Sequence, residues 1–489
     1  MTLNDKKIEI KNKDINTSKI YDFRIKLLNI LLFLIPLIIG LIIKLFFFNW
    51  RILTYSNPFM GEPYSTDLIG FDNVEYYDDF NFYTLNFVNY FLAGKLPYTH
   101  FFYVGSTPND FMTYTPYLIY PPLYLYIISM FGNNPYWVVA LPILILDLCT
   151  TFFIYKIIVK VWKNNYIALI ASLIYQFNPL TLYYGEYCWL NPSIFTFFLV
   201  ISIYFLLDDR FYLSIVFLSL SIMCKQFSGI FLTIILIRLS RRMQDKGLSV
   251  FTQFKKYIKV LIAFILPIFL LSIPYILPTY PDFPDYLYHI FAVGGMEFNL
   301  SLPEYSVPVD FVIPFIKFQF EEPILIGLKY LLEYYIILII SIVIICCGYS
   351  FFVKRDEYYN RYTLIYTLIL LISMTLFFPR GFYKYYTILF VPLMSIFIMK
   401  NLKNKGWTNW KNNATEIIVD LISVGIYFGF SFLILLINRY LTPFVLLAMI
   451  FYYSFYAYVD FNSLLKKFFR IYSRKIYNKY EKHREEFDL

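Results

Sequence analysis

A short acidic segment holds the side chains of this sequence that could most directly carry out chemistry. Residues Gly70–Tyr83 read G-F-D-N-V-E-Y-Y-D-D-F-N-F-Y and contain four carboxylates, Asp72, Glu75, Asp78 and Asp79. Carboxylates this close together can take a proton from a hydroxyl group or bind a divalent cation. The alternative is a solvated acidic turn, in which an aspartate caps the helix that follows. The spacing alone leaves both interpretations open.

The rest of the chain has the composition of a membrane protein. Of its 489 residues, 59% are hydrophobic and 15% are charged, whereas soluble domains are about half apolar and about a quarter charged. Continuously apolar runs recur along the sequence, and a helix of about 20 residues crosses the roughly 30 Å of hydrocarbon in a bilayer. Because these runs do not alternate in polarity, they predict helices rather than barrel strands. The predicted fold is an all-α, polytopic transmembrane bundle.

The net charge of +9 does not indicate a nucleic-acid partner. Lysine and arginine occur in short clusters between the apolar runs, which is the pattern of cytoplasmic loops in membrane proteins. With these clusters placed inside, about twelve spans are predicted. They lie near 27–48, 137–157, 165–182, 192–207, 211–224, 227–239, 257–278, 327–352, 361–378, 384–400, 417–437 and 441–460.

The same charge pattern divides the chain into a membrane domain between two cytoplasmic tails. Residues 1–26 are polar and lysine-rich, unlike a cleavable signal peptide, and form the first predicted tail. Residues 27–460 form the transmembrane domain, and residues 461–489 form the second tail. Long outer loops are predicted at 49–136 and 279–326, so the bilayer lipid surrounds a bundle whose largest connections lie on the non-cytoplasmic side.

One short apolar stretch inside the first outer loop, Tyr120–Phe131, could be read as a further span. Counting it as one would put Lys156, Lys160 and Lys163 on the outer side, against the rule that lysines concentrate inside. Proline at the start of the stretch favours a helix that begins there. We therefore expect an interfacial or re-entrant helix that packs on the bundle.

Under this topology, the remaining polar segments collect at one membrane face. They are the acidic first loop, Gly185–Pro192, Cys224–Gln226, Pro278–Pro323 and Phe378–Tyr386. Each could be an ordinary solvated loop. Polar residues that many helices hold at one face favour a functional site there.

These outer segments resemble those of the GT-C superfamily of glycosyltransferases, which use polyprenyl-phosphate sugars. In the first loop the resemblance rests on Asp78-Asp79 followed by Tyr83, on G-K-L-P-Y at 94–98 and on Y-P-P-L at 120–123. Further matches are the N-P…G-E turn at Asn178–Pro192, with Glu186 where glutamine is usual, then Cys224-Lys225-Gln226, and Phe378-Pro379-Arg380 before Tyr385-Tyr386. The resemblance extends over most of the chain through short motifs.

The resemblance implies an inverting membrane glycosyltransferase with a GT-C-like fold. It would move a hexose from a polyprenyl- or dolichyl-phosphate sugar to a lipid-linked glycan or another acceptor on the outer or lumenal face. Asp79 would be the catalytic base, and Asp78 would replace it or join it in binding Mg²⁺ or Mn²⁺. The residues expected to bind the substrate or its phosphate are Arg380, Lys225, Lys384, Tyr385, Glu186 and Tyr120. Each of the three cations could instead lie at the membrane interface, which is the preferred interpretation for Lys384.

Other interpretations stay open. A flippase or transporter of lipid-linked glycans would show ionisable or broken segments at mid-membrane and internal repeats; the sequence has no evident repeat, and most of its polar signal lies at one face. A polysaccharide polymerase or a catalytically silent relative also fits many spans. Asp147 lies within a predicted span, where we expect it to bond polar neighbours in the bundle interior. The membrane is the plasma membrane of a prokaryote or the endoplasmic reticulum of a eukaryote.

Overall fold

The computed structural model describes most of the membrane domain. The described residues are 3–55, 69–74, 79–94, 102–104, 113–115, 121–276, 359–376, 383–398 and 410–459, with the single positions Asp67, Tyr286, Ser341, Ile344 and Gly348. The α-helices of this part, numbered in chain order, are α1 (Leu3–Leu53), α2 (Asn86–Leu92), α3 (Pro122–Ser129), α4 (Tyr136–Trp162), α5 (Asn165–Gln176), α6 (Pro192–Leu206), α7 (Phe211–Ile222), α8 (Phe231–Asp245), α9 (Val250–Ile276), α10 (Tyr359–Leu376), α11 (Val391–Ile396), α12 (Trp410–Leu436) and α13 (Thr442–Val459).

Short π- or 3-10-helical turns join several of these helices. The π-helical turns are Phe80–Leu85 and Thr181–Tyr187. The 3-10 turns are Phe71–Asn73, Gln226–Ile230, Lys384–Phe390 and Arg439–Leu441. Most of these turns fall in segments that the sequence places on the outer face, so the irregular backbone of the described bundle is concentrated where a site is expected.

Among the described residues, four helices are long and apolar enough to cross a membrane, or five if one bent pair counts as a span. The four are Ile25–Leu53 within α1, α4, α9 and Ile417–Leu436 within α12. A helix rises about 1.5 Å per residue, so even the shortest covers about 30 Å. The chain is therefore an integral membrane protein with a predominantly helical fold, as its composition predicts. Helix α1 already begins at Leu3, so the predicted tail at 1–26 continues directly into the first span.

Twelve spans are not reached in the described part. The runs predicted at 165–182 and 211–224 form α5 and α7, which have 12 residues each. The run at 384–400 is a 3-10 turn followed by the six-residue α11. Polar and proline-containing turns shorten these helices, because a proline or a side chain bonded to the local backbone interrupts the helical ladder. Most of the predicted span at 327–352, most of the loop at 279–326 and the whole tail at 461–489 lie outside the described residues.

The first outer loop contains the short helix that the charge pattern predicts. Helix α3 has eight residues, so it covers only about 12 Å and cannot cross a bilayer. It packs on the bundle: Leu123 donates its backbone N–H to the carbonyl of Met223 at 3.1 Å, and Tyr124 and Ile128 are buried. The loop also holds one small antiparallel pair that the all-α prediction does not include. Its strands are β1 (Phe102–Val104) and β2 (Thr113–Thr115), which are rich in aromatic and β-branched residues.

The helices divide into interior and lipid-facing ones. Helix α6 lies inside between α4 and α7, and Ser202 on α6 donates its hydroxyl to the carbonyl of Ser214 at 2.6 Å. Helix α9 instead exposes large apolar side chains along much of its length. These include Phe251, Phe254, Ile258, Leu261, Ile262, Ile265, Leu266, Phe269 and Leu270. In a helix of this hydropathy, such a surface is suited to contact with lipid tails.

Candidate functional site

Asp79 meets the late part of the chain at the end of the bundle that the sequence predicts to be the outer one. It directly precedes the π-helical turn Phe80–Leu85 and is half-buried. The hydroxyl of Tyr385, in the 3-10 turn Lys384–Phe390, donates to Asp79 Oδ2 at 3.3 Å, although the two residues are 306 positions apart. The structure thus brings together the acidic first loop and the segment around Tyr385, two of the segments that the sequence places on one face.

Lys225 joins the same place from the turn after α7. Its Nζ lies 5.5 Å from the centre of the Tyr386 ring, within the range of a cation–π contact. The Tyr385 and Tyr386 hydroxyls are 3.3 Å apart. Lys225, Tyr385 and Tyr386 are all buried. We call Asp79, Lys225, Tyr385 and Tyr386 the outer cluster; it combines one carboxylate, one ammonium group and two phenols.

Contacts between separate segments of the chain hold the outer cluster in place. Thr84 Oγ1 and the Tyr124 hydroxyl are 2.8 Å apart, so the turn that carries Asp79 is bound to α3. Burial raises the pKa of Tyr124 above its usual range, which keeps the phenol neutral. The N–H of Gly70 donates to the carbonyl of Leu436 at 3.0 Å, which ties the first loop to the end of α12. Three separate parts of the chain therefore position one group of polar side chains.

Lys384 is adjacent in sequence to this cluster but has a structural contact of its own. It is fully buried, and its Nζ donates to the carbonyls of Ile437 at 2.6 Å and Leu435 at 3.4 Å. The last carbonyls of a helix lack partners within the helix, and a cation there also interacts favourably with the helix dipole. Lys384 thus stabilises the end of α12 and lies in the interior, not at the membrane interface that its sequence suggests.

Glu186 turns away from solvent into a charged group that the sequence does not reveal. The Lys44 ammonium group, within the first span, lies between two carboxylates: it bonds Asp147 of α4 and is 3.1 Å from Glu186 Oε1. All three side chains are buried. We call Lys44, Asp147 and Glu186 the interior triad. The only signal for Lys44 in the sequence is its position inside the apolar run at 27–48.

Polar neighbours complete the environment of Asp147, as predicted for a carboxylate inside the bundle. The Tyr175 hydroxyl on α5 donates to Asp147 Oδ1, and Gln176 Nε2 donates to Thr151 Oγ1 one turn further along α4. Ionisable groups inside a membrane bundle are costly unless paired. The sequence places most polar residues at one face, and this triad is an exception inside the bundle that helix packing rather than any local pattern creates.

A broken helix lies beside the triad. The π-helical turn Thr181–Tyr187 and α6 are bent by 118° relative to each other. The break has two local causes: Trp189 adopts the left-handed conformation with φ of 55°, and Pro192 starts α6. This is the predicted outer turn, but it is buried inside the bundle.

Several polar atoms around this break find no hydrogen-bond partner within the described part of the chain. They are Glu186 Oε2, Trp189 Nε1, Asn191 Nδ2, Ser193 Oγ and Thr196 Oγ1. All five side chains are buried. Buried polar groups usually have a partner, and a group of exceptions calls for a water, ion or ligand that supplies it. We call these five residues the broken-span group; its mixture of donors and acceptors suits hydroxyl-rich or amide-bearing ligands.

Arg51 adds a positive charge in the last turn of α1 that the sequence interpretation misses. The guanidinium carbon lies 5.2, 6.0 and 5.7 Å from the ring centres of Tyr55, Tyr187 and Trp189. Arg51 is buried. Arginine stacks on aromatic faces more readily than lysine does, so this arrangement links α1 to the broken span through a cation held among aromatic rings.

Three predicted site residues, Asp78, Arg380 and Tyr120, lie outside the described residues. Among the described residues, no group of three or more His, Cys, Asp or Glu side chains could hold a metal ion. The Mg²⁺ or Mn²⁺ site predicted at Asp78 and Asp79 thus stays a prediction, since half of it is not described.

One family model matches the chain. Residues 108–291, from the first outer loop to just beyond α9, match the family described as PIG-U, a GPI transamidase subunit. The match covers less than half of the chain and includes Glu186, Lys225 and the whole broken span. No curated protein sequence matches the chain.

This match corrects the predicted enzyme class. The family is that of a transamidase subunit and not of a glycosyltransferase, so the prediction that the chain is a hexosyl-transferring enzyme is wrong. The base role of Asp79 followed from that reaction and is itself untested, so it stays a prediction. The motifs led to the wrong enzyme class because short runs of Pro, Gly, Tyr and Asp mark the ends of helices at a membrane face. Such ends are needed by any multi-span protein, whatever it binds.

Proposed function

We propose that the chain is a membrane subunit of a GPI-transamidase-type assembly, working in the endoplasmic reticulum membrane beside protein partners. The observation that carries the proposal is the family match over residues 108–291. Its role would be to hold the glycosylphosphatidylinositol substrate at the lumenal face while a partner subunit performs the transamidation. In this role the chain needs to bind a phosphorylated glycolipid and needs no catalytic base of its own.

The outer cluster has the chemistry to bind such a glycolipid. An ammonium group such as that of Lys225 acts as a point charge toward a phosphate. Tyr385 and Tyr386 offer hydroxyl groups and apolar ring faces to a sugar. Asp79 would accept hydrogen bonds from sugar hydroxyls or from the amine of the glycolipid, because a carboxylate is a strong acceptor. The same side chains that suggested glycosyl chemistry would thus form a largely buried binding site.

The broken-span group would extend this site further into the bundle. Its donors and acceptors lie among buried aromatic and apolar residues, a combination that ligand sites use to fix orientation. Asp78, Arg380 and Tyr120 belong to the predicted outer face by sequence and remain proposed contributors. A divalent cation between the carboxylates at 78–79 and a phosphate also remains part of the proposal.

Display of a GPI-anchored reporter tests the proposal. In cells from which the chain has been deleted, we expect the reporter to be lost from the surface and restored by the wild-type chain. Lys225→Gln and Tyr385→Phe should restore it only weakly. Lys163→Gln and Tyr166→Phe change matched residue types at exposed positions and should restore it fully. A tagged chain should also co-purify with transamidase subunits, both in the presence and in the absence of EDTA.

Two results would overturn the proposal. One is normal reporter display in the deleted cells. The other is recovery of the tagged chain, extracted in mild detergent, without any transamidase subunit. Full rescue by Lys225→Gln and Tyr385→Phe would leave the assembly role in place but remove the outer cluster as the glycolipid site.

A second candidate, movement of a lipid-linked glycan across the membrane, is favoured by one observation. The interior triad places ionisable groups within the bundle next to a broken helix, which is an arrangement found in transporters. Purified chain in liposomes with a fluorescent glycolipid distinguishes the two: accelerated loss of outer-leaflet label supports transport, and an unchanged rate removes it.

A further inference from the structure

A second polar site lies at the opposite end of the bundle from the outer cluster. A cavity of about 300 Å³ opens where the α6–α7 turn, the end of α8 and the first half of α9 meet. Four cations line it, Arg210, Arg242, Lys246 and Lys256, with a single carboxylate, Asp209. The flanking basic cluster at 238–242 places this end of the bundle in the cytoplasm.

The carboxylate of this cavity is already neutralised. Asp209 Oδ1 accepts from Arg238 Nε at 3.0 Å, and Asp209 Oδ2 lies 2.7 Å from Arg242 Nη2. Asp209 has a left-handed backbone with φ of 56°, which turns the chain between α6 and α7. Asp209 is therefore a positioning residue that fixes Arg242 at the wall of the cavity and leaves no net negative charge there.

The other acidic groups nearby are engaged elsewhere. Asp208 pairs with Lys160, and Asp245 lies 3.1 Å from Arg241 Nε. Within the described ranges, Arg210, Lys246 and Lys256 form no ion pair. The cavity thus has a surplus of positive charge built from two arginines and two lysines on three different elements. Such a surplus suits a phosphorylated or otherwise anionic group.

The remaining walls indicate that this group belongs to a lipid. Phe211, Leu239 and Val260 line the cavity beside the cations. Helix α9, which contributes Lys256 and Val260, exposes Phe254 and Ile258 nearby. A soluble phosphate would gain nothing from these apolar neighbours, whereas the first carbons of acyl chains would pack on them. Basic pockets between helices on the cytoplasmic side are suited to anionic headgroups.

We propose that this cavity binds the phosphorylated headgroup of an anionic lipid of the cytoplasmic leaflet. Arg210 and Arg242 contact phosphate oxygens through their guanidinium groups, and Lys246 and Lys256 add point charges. The acyl chains run along the lipid-facing side of α9. The inference is independent of the glycolipid proposal, because the cavity and the outer cluster share no residue and lie at opposite ends of the bundle.

Lipid retention by the full chain in nanodiscs tests this inference. The nanodiscs contain phosphatidylcholine with a small fraction of phosphatidylinositol 4-phosphate, and native mass spectrometry counts the anionic lipid that stays bound. The triple variant Arg210→Gln, Lys246→Gln, Lys256→Gln should retain it at least about tenfold more weakly, since each basic residue near a membrane surface adds to the attraction. The control Lys163→Gln, Lys255→Gln, Lys259→Gln removes three exposed cations from the same predicted face and should retain it normally.

Three outcomes would overturn the inference. Equal losses in the two triple variants would mean diffuse attraction between the basic face and the membrane. Undiminished retention in the cavity variant, with an unchanged melting temperature, would mean that the cavity is not the site. Binding of soluble inositol 1,4-bisphosphate as tight as that of the lipid would assign the cavity to a free phosphate ester. GPI-reporter display is measured separately, so failure here leaves the proposed function untouched.

Discussion

Lys44 Nζ lies 3.1 Å from Glu186 Oε1 inside the bundle, although the two residues are 142 positions apart. Because Lys44 also bonds Asp147, one ammonium group serves two buried carboxylates. This ion pair ties the first span to the broken helix and to α4. The local geometry of the broken-span group therefore depends on a charge in the first span.

Removing Lys44 should destabilise the chain strongly. Lys44→Met leaves Asp147 and Glu186 buried without their cation, and breaking a buried pair typically costs about 3–5 kcal/mol. We expect a large fall in the melting temperature of the detergent-solubilised chain. The triple change Lys44→Met, Asp147→Asn, Glu186→Gln removes all three charges and should recover much of the loss. If something other than charge pairing holds the triad, the triple change will not recover the melting temperature. Lys163→Met, at an exposed position, is the control.

Tyr385→Phe should separate binding from stability. It removes the hydroxyl that donates to Asp79 at 3.3 Å and leaves the buried ring in place. The stability cost is then about 1.5–3 kcal/mol, the range for a hydrogen bond to a charged acceptor. If the outer cluster binds the glycolipid, reporter display per molecule of chain should fall several-fold. A fall in display that only mirrors the fall in chain abundance would contradict a binding role; Tyr166→Phe controls for loss of an exposed hydroxyl.

Lys384→Met should lower the stability of the chain without lowering reporter display per molecule. The change leaves the carbonyls of Ile437 and Leu435 without their buried donor, at a cost of about 1–3 kcal/mol. We expect a lower melting temperature and lower chain abundance, with normal reporter display per molecule. Lys225→Gln should instead lower display per molecule with little change in melting. If Lys384→Met lowers display per molecule as well, Lys384 contributes to the site and not only to the end of α12.

Local signals explain what the sequence predicts correctly. Run length and flanking charge identify the apolar helices, and proline at its first turn identifies α3 as a short helix. The contact between Asp79 and Tyr385 agrees with the shared face that the topology assigns to their segments. Each of these conclusions needs only a few adjacent residues or the count of spans between two loops.

Other features depend on how the helices pack, and the sequence alone does not predict them. Lys44 meets Glu186 only because of how α1 is rotated and because a π-helical turn and the 118° bend redirect the chain at Thr181–Tyr187. A glutamate in an apparent outer turn looks exposed until that bend is known. The basic cavity beside α7, α8 and α9 depends on Arg242 being fixed by Asp209, which no spacing rule reveals.

The assignment of the two ends to opposite sides of the membrane can be tested directly. Met130, at the end of α3, and Lys246, after α8, are both exposed. We expect Met130→Cys to react with a membrane-impermeant maleimide from the lumenal side and Lys246→Cys to react from the cytoplasmic side. The parent chain gives the background labelling, because Cys188 and Cys224 are buried free thiols that should react slowly and Cys149 is a partly buried free thiol on α4. Residues on opposite faces must be separated by an odd number of spans. Labelling of both introduced cysteines from one side would therefore contradict the predicted topology and place the cavity and the outer cluster on the same face.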